Sequence, residues 1–262
     1  MRVHLLVRTI VLAVIVAAAG VPARGDAART AAPNPRLMHL PPVMLWAWHR
    51  PEDLRGLDPR RAGVAYLAAT WTMGSDGPRI EPRRQPFLVD PGTPLLAVVR
   101  IETGAASLPP DDSQQIQAMA QALADLVSRS GASGLQIDFD AKDSEHEFYR
   151  QLLTETRAAL GVRPLSITAL VSWCLGDAAV LGAPVDEVVP MLFQLGVPNA
   201  AHLKARGAAD DLRASACSDA VGVSLDEPTP AIEKGRRLYI FSPTGWTPES
   251  AARALAEVPR WR

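Results

Sequence analysis

The stretch that decides the fold is Gly134-Leu-Gln-Ile-Asp-Phe-Asp140, in which apolar and polar side chains alternate at every position after the glycine. Because successive side chains of a β-strand point to opposite faces, its three apolar side chains share one face. The other face carries Gln136, Asp138 and Asp140. In a barrel, the apolar face would pack against surrounding helices and the polar face would line the interior.

Short apolar runs recur along the chain on both sides of this stretch. Several are almost continuously apolar, which is typical of parallel strands that are buried on both faces. With the stretch itself they predict eight strands. The predicted strands are Met44–Trp48, Val64–Thr70, Leu95–Ile101, Leu135–Asp140, Leu165–Val171, Glu187–Phe193, Ala220–Leu225 and Leu238–Ser242.

Helical patterns lie between some of these strands. Apolar residues recur at helical spacing between Ile116 and Val127, which predicts an amphipathic helix. A second helix is predicted to begin near Ser144 and to stop at Gly161. A last helix is predicted to begin at Thr247-Pro248, because proline is favourable at the first helical position.

Eight strands alternating with helices over about 240 residues indicate an α/β fold of the (β/α)8 type. Residues 71–93 contain several prolines and no helical period, so this unit is predicted to have exchanged its helix for a loop or hairpin. We therefore predict a distorted or incomplete TIM-like barrel in a single domain, 41–262. An open doubly wound sheet is the alternative, although neither GxGxxG nor GxxxxGK[ST] occurs in the sequence, which disfavours nucleotide-binding sheets.

The composition excludes two broad classes of protein. The 262 residues include 27 Lys and Arg against 28 Asp and Glu, a formal net charge of -1, whereas nucleic-acid binders usually carry a basic excess. The hydrophobic fraction of 48% at nearly zero net charge is too high for a disordered chain. The sequence predicts no cofactor and no nucleic-acid partner.

The N-terminus has the features of an export signal. A positively charged start precedes an unbroken apolar run, Ile10–Val21, which is too short to span a bilayer as a helix, since that takes about 20 residues. We predict a signal peptide over 1–23, a flexible leader over 24–40, and a periplasmic or secreted mature chain without a membrane span. An uncleaved anchor is the alternative.

Two cysteines, Cys174 and Cys217, are the only ones in the chain. An exported protein can form a disulfide, but the first follows one predicted strand and the second precedes another, which could put them at opposite ends of a barrel. The sequence leaves this pairing open. Two cysteines without clustered histidines do not make a zinc site, and Lys142 interrupts the acidic run after strand four, so no metal site is predicted.

The polar face of residues 134–140 carries the strongest chemical signal. Asp138 and Asp140 lie at the carboxyl end of the fourth predicted strand, where barrel enzymes place catalytic groups. Close like charges raise the pKa of one carboxyl group, which makes a proton donor at neutral pH. We predict Asp140 as the acid, Asp138 as its electrostatic partner and Gln136 as the residue that orients substrate or water. The alternative is that Arg100 or another base neutralises both aspartates, which then only brace the barrel.

Ser133-Gly-Leu-Gln-Ile-Asp-Phe-Asp140 resembles the fourth-strand motif D-G-x-D-x-D-x-E of family 18 glycoside hydrolases, the chitinases and their relatives. In this alignment Ser133 and Gln136 replace two acids and Asp138 is kept. Asp140 stands where the family has its catalytic glutamate, and its side chain is about one bond shorter. The resemblance implies a (β/α)8 barrel and glycosidase chemistry with Asp140 as the acid.

A set of five short motifs in order resembles the bacterial DUF3142 family, whose members are thought to be barrel-like and have no established activity. The resemblance supports the barrel and implies no particular reaction. The motifs are Trp46-Ala-Trp48 with Arg50-Pro-Glu-Asp-Leu54, Gly134-Leu-Gln-Ile-Asp-Phe-Asp-Ala141, Leu165-Ser-Ile-Thr-Ala-Leu170 with Ser172-Trp-Cys174, Val189-Pro-Met-Leu-Phe193 and Asp226-Glu-Pro228.

Tryptophans concentrate at the ends of the predicted strands. Sugar rings have apolar faces that stack on indole rings, so these positions predict a sugar-binding cleft, although tryptophan is often buried in a core as well. Trp246 resembles the tryptophan that floors the sugar site in family 18 enzymes. The tryptophans at strand ends are Trp46, Trp48, Trp71, Trp173 and Trp246.

Two glutamates could add a second carboxylate to the cleft, as inverting and retaining glycosidases require. Glu102 ends the third predicted strand and Glu227 follows the seventh. The sequence therefore predicts an exported, glycoside hydrolase-like protein with an oligo- or polysaccharide ligand. The alternative is a non-catalytic sugar-binding or structural barrel protein of the cell envelope.

Overall fold

The computed structural model defines a barrel domain and the segment that leads into it. The predicted signal peptide, 1–23, lies outside the described residues, as does most of the predicted leader. All described residues belong to one compact unit, Pro33–Arg262. The structure describes residues 34–74, 77–104, 113–175, 179–195, 212, 216–229 and 231–262.

The predicted strands are all present, with shifted ends, and three further strands lie among them. The strands are β1 (Val43–Ala47), β2 (Glu52–Asp53), β3 (Ala62–Gly74), β4 (Gly77–Pro82), β5 (Phe87–Leu88), β6 (Leu95–Thr103), β7 (Gly134–Asp138), β8 (Leu165–Leu170), β9 (Glu187–Met191), β10 (Ala220–Ser224) and β11 (Arg237–Phe241). The α-helices that lie wholly within the described ranges are α1 (Ser113–Ser130), α2 (His146–Leu160), α3 (Val171–Leu175) and α4 (Pro248–Trp261).

Eight of the strands form a closed parallel barrel. They run in the order β1-β3-β6-β7-β8-β9-β10-β11, and β11 pairs with β1 to close the ring. Closure removes the exposed edges that an open sheet would have. The prediction of a distorted (β/α)8 barrel in one domain is therefore confirmed, and the open doubly wound sheet is excluded.

β3 is much longer than its neighbours because it leaves the barrel. Its first four residues are buried, and from Tyr66 onward buried and partly exposed residues alternate, as expected once only one face of a strand is covered. The projecting part pairs with β4 as an antiparallel hairpin. This confirms the predicted loss of a helix from residues 71–93.

The alternation in β7 divides its side chains as predicted. The outward side chains, Leu135 and Ile137, join an apolar cluster with residues of α1 and α2, whereas Gln136 and Asp138 hydrogen-bond inside the barrel. α4 begins after Thr247, whose Oγ1 accepts the N–H of Ser250. Within the described ranges, no helix combines the length and apolarity needed to cross a membrane.

Residues 34–40, which the sequence analysis assigns to the leader, pack against the base of the barrel. Leu37 and Leu40 are buried there. Arg237 at the start of β11 donates hydrogen bonds to the backbone oxygens of both leucines, at 3.1 and 3.3 Å. This segment therefore covers the end of the barrel where the strands begin.

Cys174 and Cys217 form a disulfide, with their Cα atoms 5.9 Å apart. Both residues are buried in the apolar layer that also holds α1 and α2. They meet because Cys174 belongs to α3, which follows β8 directly and packs in the same layer as the segment before β10. The structure thus decides a pairing that the sequence leaves open.

Candidate functional site

A cavity of about 380 Å³ opens where the barrel strands end. Its volume lies within the usual range for small-molecule sites. One part of its wall is polar and includes Arg100, Asp138, Asp140, Thr168 and Gln194. The remaining wall is apolar and includes Trp46, Trp48, Leu170, Met191, Phe193 and Phe241.

Asp138, the last residue of β7, is held by two partners on neighbouring strands. Its Oδ1 accepts a hydrogen bond from Thr168 Oγ1 at 2.7 Å. Its Oδ2 accepts one from Arg100 Nη1 at 2.9 Å. The side chain is only 5% exposed, and such charge-assisted bonds are stronger than neutral ones. Asp138 is therefore a fixed carboxylate in the cavity wall.

Arg100 joins this carboxylate to the rim of the cavity. Its Nε donates to Glu102 Oε1 at 2.8 Å. Burial acts to lower the pKa of Arg100, but the carboxylates of Asp138 and Glu102 outweigh it and raise that pKa. Glu102 itself is exposed and does not line the cavity. The predicted neutralisation by Arg100 thus applies to Asp138.

Asp140 also lines the cavity, but its surroundings differ from those of Asp138. β7 ends at Asp138, so Asp140 belongs to the following loop and is exposed at the mouth. Within the described part of the chain, its carboxyl group makes no hydrogen bond or ion pair. Desolvation by the surrounding protein raises its pKa most, the charge of Asp138 raises it further, and Arg100 opposes both. This carboxyl group keeps its proton to a higher pH than an ordinary aspartate does.

Gln136 does not reach the cavity. It is fully buried in the barrel interior, where its Oε1 accepts the indole N–H of Trp46 at 2.7 Å. Its Nε2 donates to Ser166 Oγ at 3.1 Å. Trp46 lines the cavity whereas Gln136 does not, so Gln136 is not placed to touch a substrate or an attacking water.

The predicted tryptophans divide between the cavity and the core. Trp46 and Trp48 line the cavity. Trp173 is buried and its ring contacts that of His146 in α2, with centroids 5.3 Å apart. Trp246 is buried in another cluster and donates its indole N–H to the backbone oxygen of Trp46 at 2.7 Å. Trp173 and Trp246 therefore belong to the apolar core and do not line the cavity.

Glu227 lies behind the cavity wall. Its Oε1 accepts the backbone N–H of Gln194 at 2.8 Å. Gln194 lines the cavity and has a φ of 52°, a conformation that non-glycine residues seldom adopt. Glu227 thus holds a strained wall residue in place and does not itself line the cavity.

Two solved structures share this architecture with low sequence identity. A GH18 chitinase from Pseudoalteromonas aurantia matches with a TM-score of 0.50 and 13% identity, over 82% of this chain and 99% of that one. A putative chitinase A from Streptomyces coelicolor matches with a TM-score of 0.54 and 11% identity, over 82% and 96%. The chain therefore shares a TIM-barrel fold with these two structures.

Neither the comparison with family models nor that with curated proteins finds a match. At 11 to 13% identity, the likeness to the two chitinase structures concerns the fold.

The barrel brings to the site two aromatic residues that were not predicted as site residues. Phe193 and Phe241 line the cavity, and their rings stack with centroids 5.9 Å apart and planes 9° from parallel. Each lies at or one residue before the end of its predicted strand. Their positions at strand ends could have identified them, because the carboxyl ends of the strands surround the site in such barrels.

Two further acidic residues, Asp143 and Glu145, lie just before α2. Glu145 Oε2 accepts the backbone N–H of Lys142 at 2.8 Å, and the side chain of Asp143 is fully exposed. In the part of the chain that the structure describes, no group of three or more His, Cys, Asp or Glu side chains is arranged to hold a metal ion.

Proposed function

We propose that this chain is an exported carbohydrate-active protein that hydrolyses a glycosidic bond in the cavity at the barrel mouth, with Asp140 as the acid. The observation that carries the proposal is the contrast between two aspartates in one cavity. Asp138 is fixed by Arg100 and Thr168, whereas Asp140 is unpaired among the described residues and its pKa is raised. Two carboxyl groups with different environments suit two different roles.

In this proposal Asp140 gives its proton to the oxygen of the leaving sugar as the bond to the anomeric carbon breaks. The positive charge that develops on the sugar ring is stabilised by the carboxylate of Asp138, which Arg100 and Thr168 hold in place. Both oxygens of Asp138 are engaged, so its role is electrostatic. The Asp140 carboxylate then accepts a proton from the water that adds to the anomeric carbon, which restores the acid.

The two-sided wall of the cavity supports a sugar as ligand. The rings of Trp48, Phe193 and Phe241 offer apolar surface, which suits the carbon face of a pyranose. Arg100 and Thr168 on the other side offer polar groups for hydroxyls. Because two structurally similar proteins are described as chitinases, chitin-type oligosaccharides are the first ligands to test.

Export is part of the proposal and rests on the sequence of residues 1–23. The disulfide between Cys174 and Cys217 supports it, since disulfides persist in oxidising compartments such as the periplasm. The N-terminal sequence of the protein recovered outside the cytoplasm tests it, and a mature chain that starts after Ala23 is expected. Membership of the DUF3142 family stays a prediction from the motifs.

A second candidate function is sugar binding without catalysis. The hydrogen bonds that fix Asp138 to Arg100 and Thr168 favour it, because they leave Asp140 as the only cavity-lining carboxyl group of the described residues without a hydrogen-bond partner. An aspartate also reaches about one bond less far than the glutamate of the family 18 motif.

Replacing Asp140 separates the two candidates. Turnover of a panel of 4-methylumbelliferyl glycosides, including that of N,N′-diacetylchitobiose, is measured beside calorimetric binding of N,N′-diacetylchitobiose. For an enzyme, Asp140→Asn lowers kcat by about 10²- to 10⁴-fold and keeps binding. Asp143→Asn is the matched control, because Asp143 is fully exposed.

The other outcomes have separate meanings. Binding without turnover in the natural protein identifies the non-catalytic sugar binder. If no glycan of a broad panel binds or shifts the melting temperature, the carbohydrate proposal is wrong and a structural role takes its place.

A further inference from the structure

We propose that Gln136 is a positioning residue that sets the orientation of Trp46 in the cavity wall, and that it is anchored through the barrel interior to the N-terminal segment 34–41. The chain of polar contacts that connects them is called the interior relay here. It consists of Trp46, Gln136, Ser166, Glu187 and Arg237. The consequences for ligand rest on the proposed function, whereas the orientation of Trp46 does not.

At the cavity end of the relay, the Trp46 ring is tightly packed. The side chain is only 3% exposed and its ring packs against that of Tyr239, with centroids 5.1 Å apart. A Cβ atom on Gly222 would lie 2.5 Å from Cη2 of the indole. Packing therefore confines the ring, and its N–H points to Gln136 Oε1 at 2.7 Å.

In the middle of the relay, each hydrogen bond has a defined direction. Gln136 uses its oxygen for Trp46, which leaves its amide nitrogen to donate to Ser166 Oγ at 3.1 Å. Ser166 accepts that bond and donates its own hydroxyl to Glu187 Oε2 at 3.3 Å. Because a carboxylate can only accept, Glu187 sets the direction of the whole chain.

At the base of the relay, a buried ion pair ties the chain to the N-terminal segment. Glu187 Oε2 also accepts the hydroxyl of Tyr239 at 2.6 Å, and its other oxygen pairs with Arg237 Nη1. The Nε of Arg237 donates to the backbone oxygen of Pro41 at 2.9 Å, and its Nη2 donates to those of Leu37 and Leu40. The planar guanidinium thus links the carboxylate to three backbone oxygens.

These contacts argue for positioning beyond general bracing. A barrel interior can be filled by apolar side chains, and a buried ion pair is often no more stabilising than such packing. The relay also fixes the orientation of the ring. The single N–H of the indole can donate to Gln136 in one orientation of the ring and not in the others. Without the Gln136 oxygen, the buried N–H of Trp46 would have no partner in the relay.

Hydrogen exchange of the indole N–H groups tests the relay without any ligand. The ¹⁵N resonance of Trp46 is assigned with Trp46→Phe, and exchange is compared between the natural chain, Gln136→Leu and Gln121→Leu. Gln121 lies exposed on α1, so it makes a matched control for the same substitution. We expect exchange at Trp46 to become at least about tenfold faster in Gln136→Leu, with Trp71 and Trp173 unchanged.

A uniform acceleration at all indoles, or an unchanged rate at Trp46, would overturn the proposal. If Gln136→Leu does not fold, Ser166→Ala interrupts the relay one bond further away and is judged by the same criterion with a smaller acceleration. In the folded variant, we also expect Kd for N,N′-diacetylchitobiose to rise about tenfold. If the natural chain does not bind this sugar, the ligand proposal fails for that sugar while the exchange result still decides the relay.

Discussion

Arg100 and Asp138 face each other in register across β6 and β7, and their side chains are joined by a bond of 2.9 Å inside the barrel mouth. The strand register alone brings the guanidinium to the carboxylate, since both side chains point inward at the same level. This pairing engages Asp138 and leaves Asp140, two residues further on, as the cavity-lining carboxyl group of the described residues that has no hydrogen-bond partner.

Removal of Arg100 should destabilise the protein. Among the described residues, Arg100→Met leaves the buried Asp138 carboxylate with Thr168 as its one remaining side-chain partner. We expect the free energy of unfolding to fall by about 3 kcal/mol. Urea denaturation measures it. Arg150→Met is the control, because Arg150 makes an exposed ion pair with Glu147 and should change stability by less than about 1 kcal/mol. Equal effects of the two substitutions would contradict the assigned role of Arg100.

The raised pKa of Asp140 predicts the sign of two pH effects. Activity should fall as pH rises through that pKa, because only the protonated carboxyl group can donate. The same shift affects the free energy of unfolding. Because the pKa of Asp140 is higher in the folded than in the unfolded state, the group stabilises the protein at pH values below its unfolded-state pKa. This contribution is lost as the pH rises through the folded-state pKa. Asp140→Asn should therefore melt higher than the natural chain at pH 7 and about equally at pH 3. A melting-temperature difference that is independent of pH would argue against the shift.

Gly222 should be intolerant of a side chain. Its added Cβ would lie 2.5 Å from the Trp46 ring, so Gly222→Ala forces the indole or the strand to move and should cost about 1–3 kcal/mol. Thermal denaturation with a near-ultraviolet circular dichroism spectrum measures both stability and the tryptophan environment. Gly182→Ala is the control, because nothing lies within 4 Å of a Cβ placed there.

Loss of the disulfide should lower stability without removing the site. Replacing Cys174 and Cys217 by alanine opens a loop with a sequence separation of 43, and the expected cost is about 2–4 kcal/mol. Chemical denaturation with and without a reductant measures it. The reductant should lower the midpoint of the natural chain and leave that of the double variant unchanged. An unaffected natural chain would contradict the bridge.

Local patterns were sufficient for the strands that are buried on both faces. The predicted strand Leu165–Val171 differs from β8 (Leu165–Leu170) by one residue at its end, because a largely apolar run is typical of a strand that is buried on both faces. The ends of β3 and β7 were missed for tertiary reasons. β3 continues past the barrel because β4 folds back on it, and β7 stops at Asp138 because no residue after it pairs with β6 or β8.

Site residues were harder to predict because a position at a strand end does not say which way a side chain points. Asp138, Asp140, Trp46 and Trp48 line the cavity. Trp173 does not, because the chain turns into α3 directly after β8 and carries its ring to the helix layer. Gln136 lies on the inward face as expected, but it does not line the cavity and is hydrogen-bonded to Trp46, which does.

By itself, the sequence determined the alternation of apolar strands with helices and the inward polar face that ends in two aspartates. These follow from periodicity, which is a local property of the chain. Tertiary structure alone decided which of the two carboxyl groups is paired, that Cys174 meets Cys217, and that Trp46 rather than Trp246 lines the cavity. Each of these depends on distances between strands that are far apart in sequence, and only closure of the barrel sets those distances.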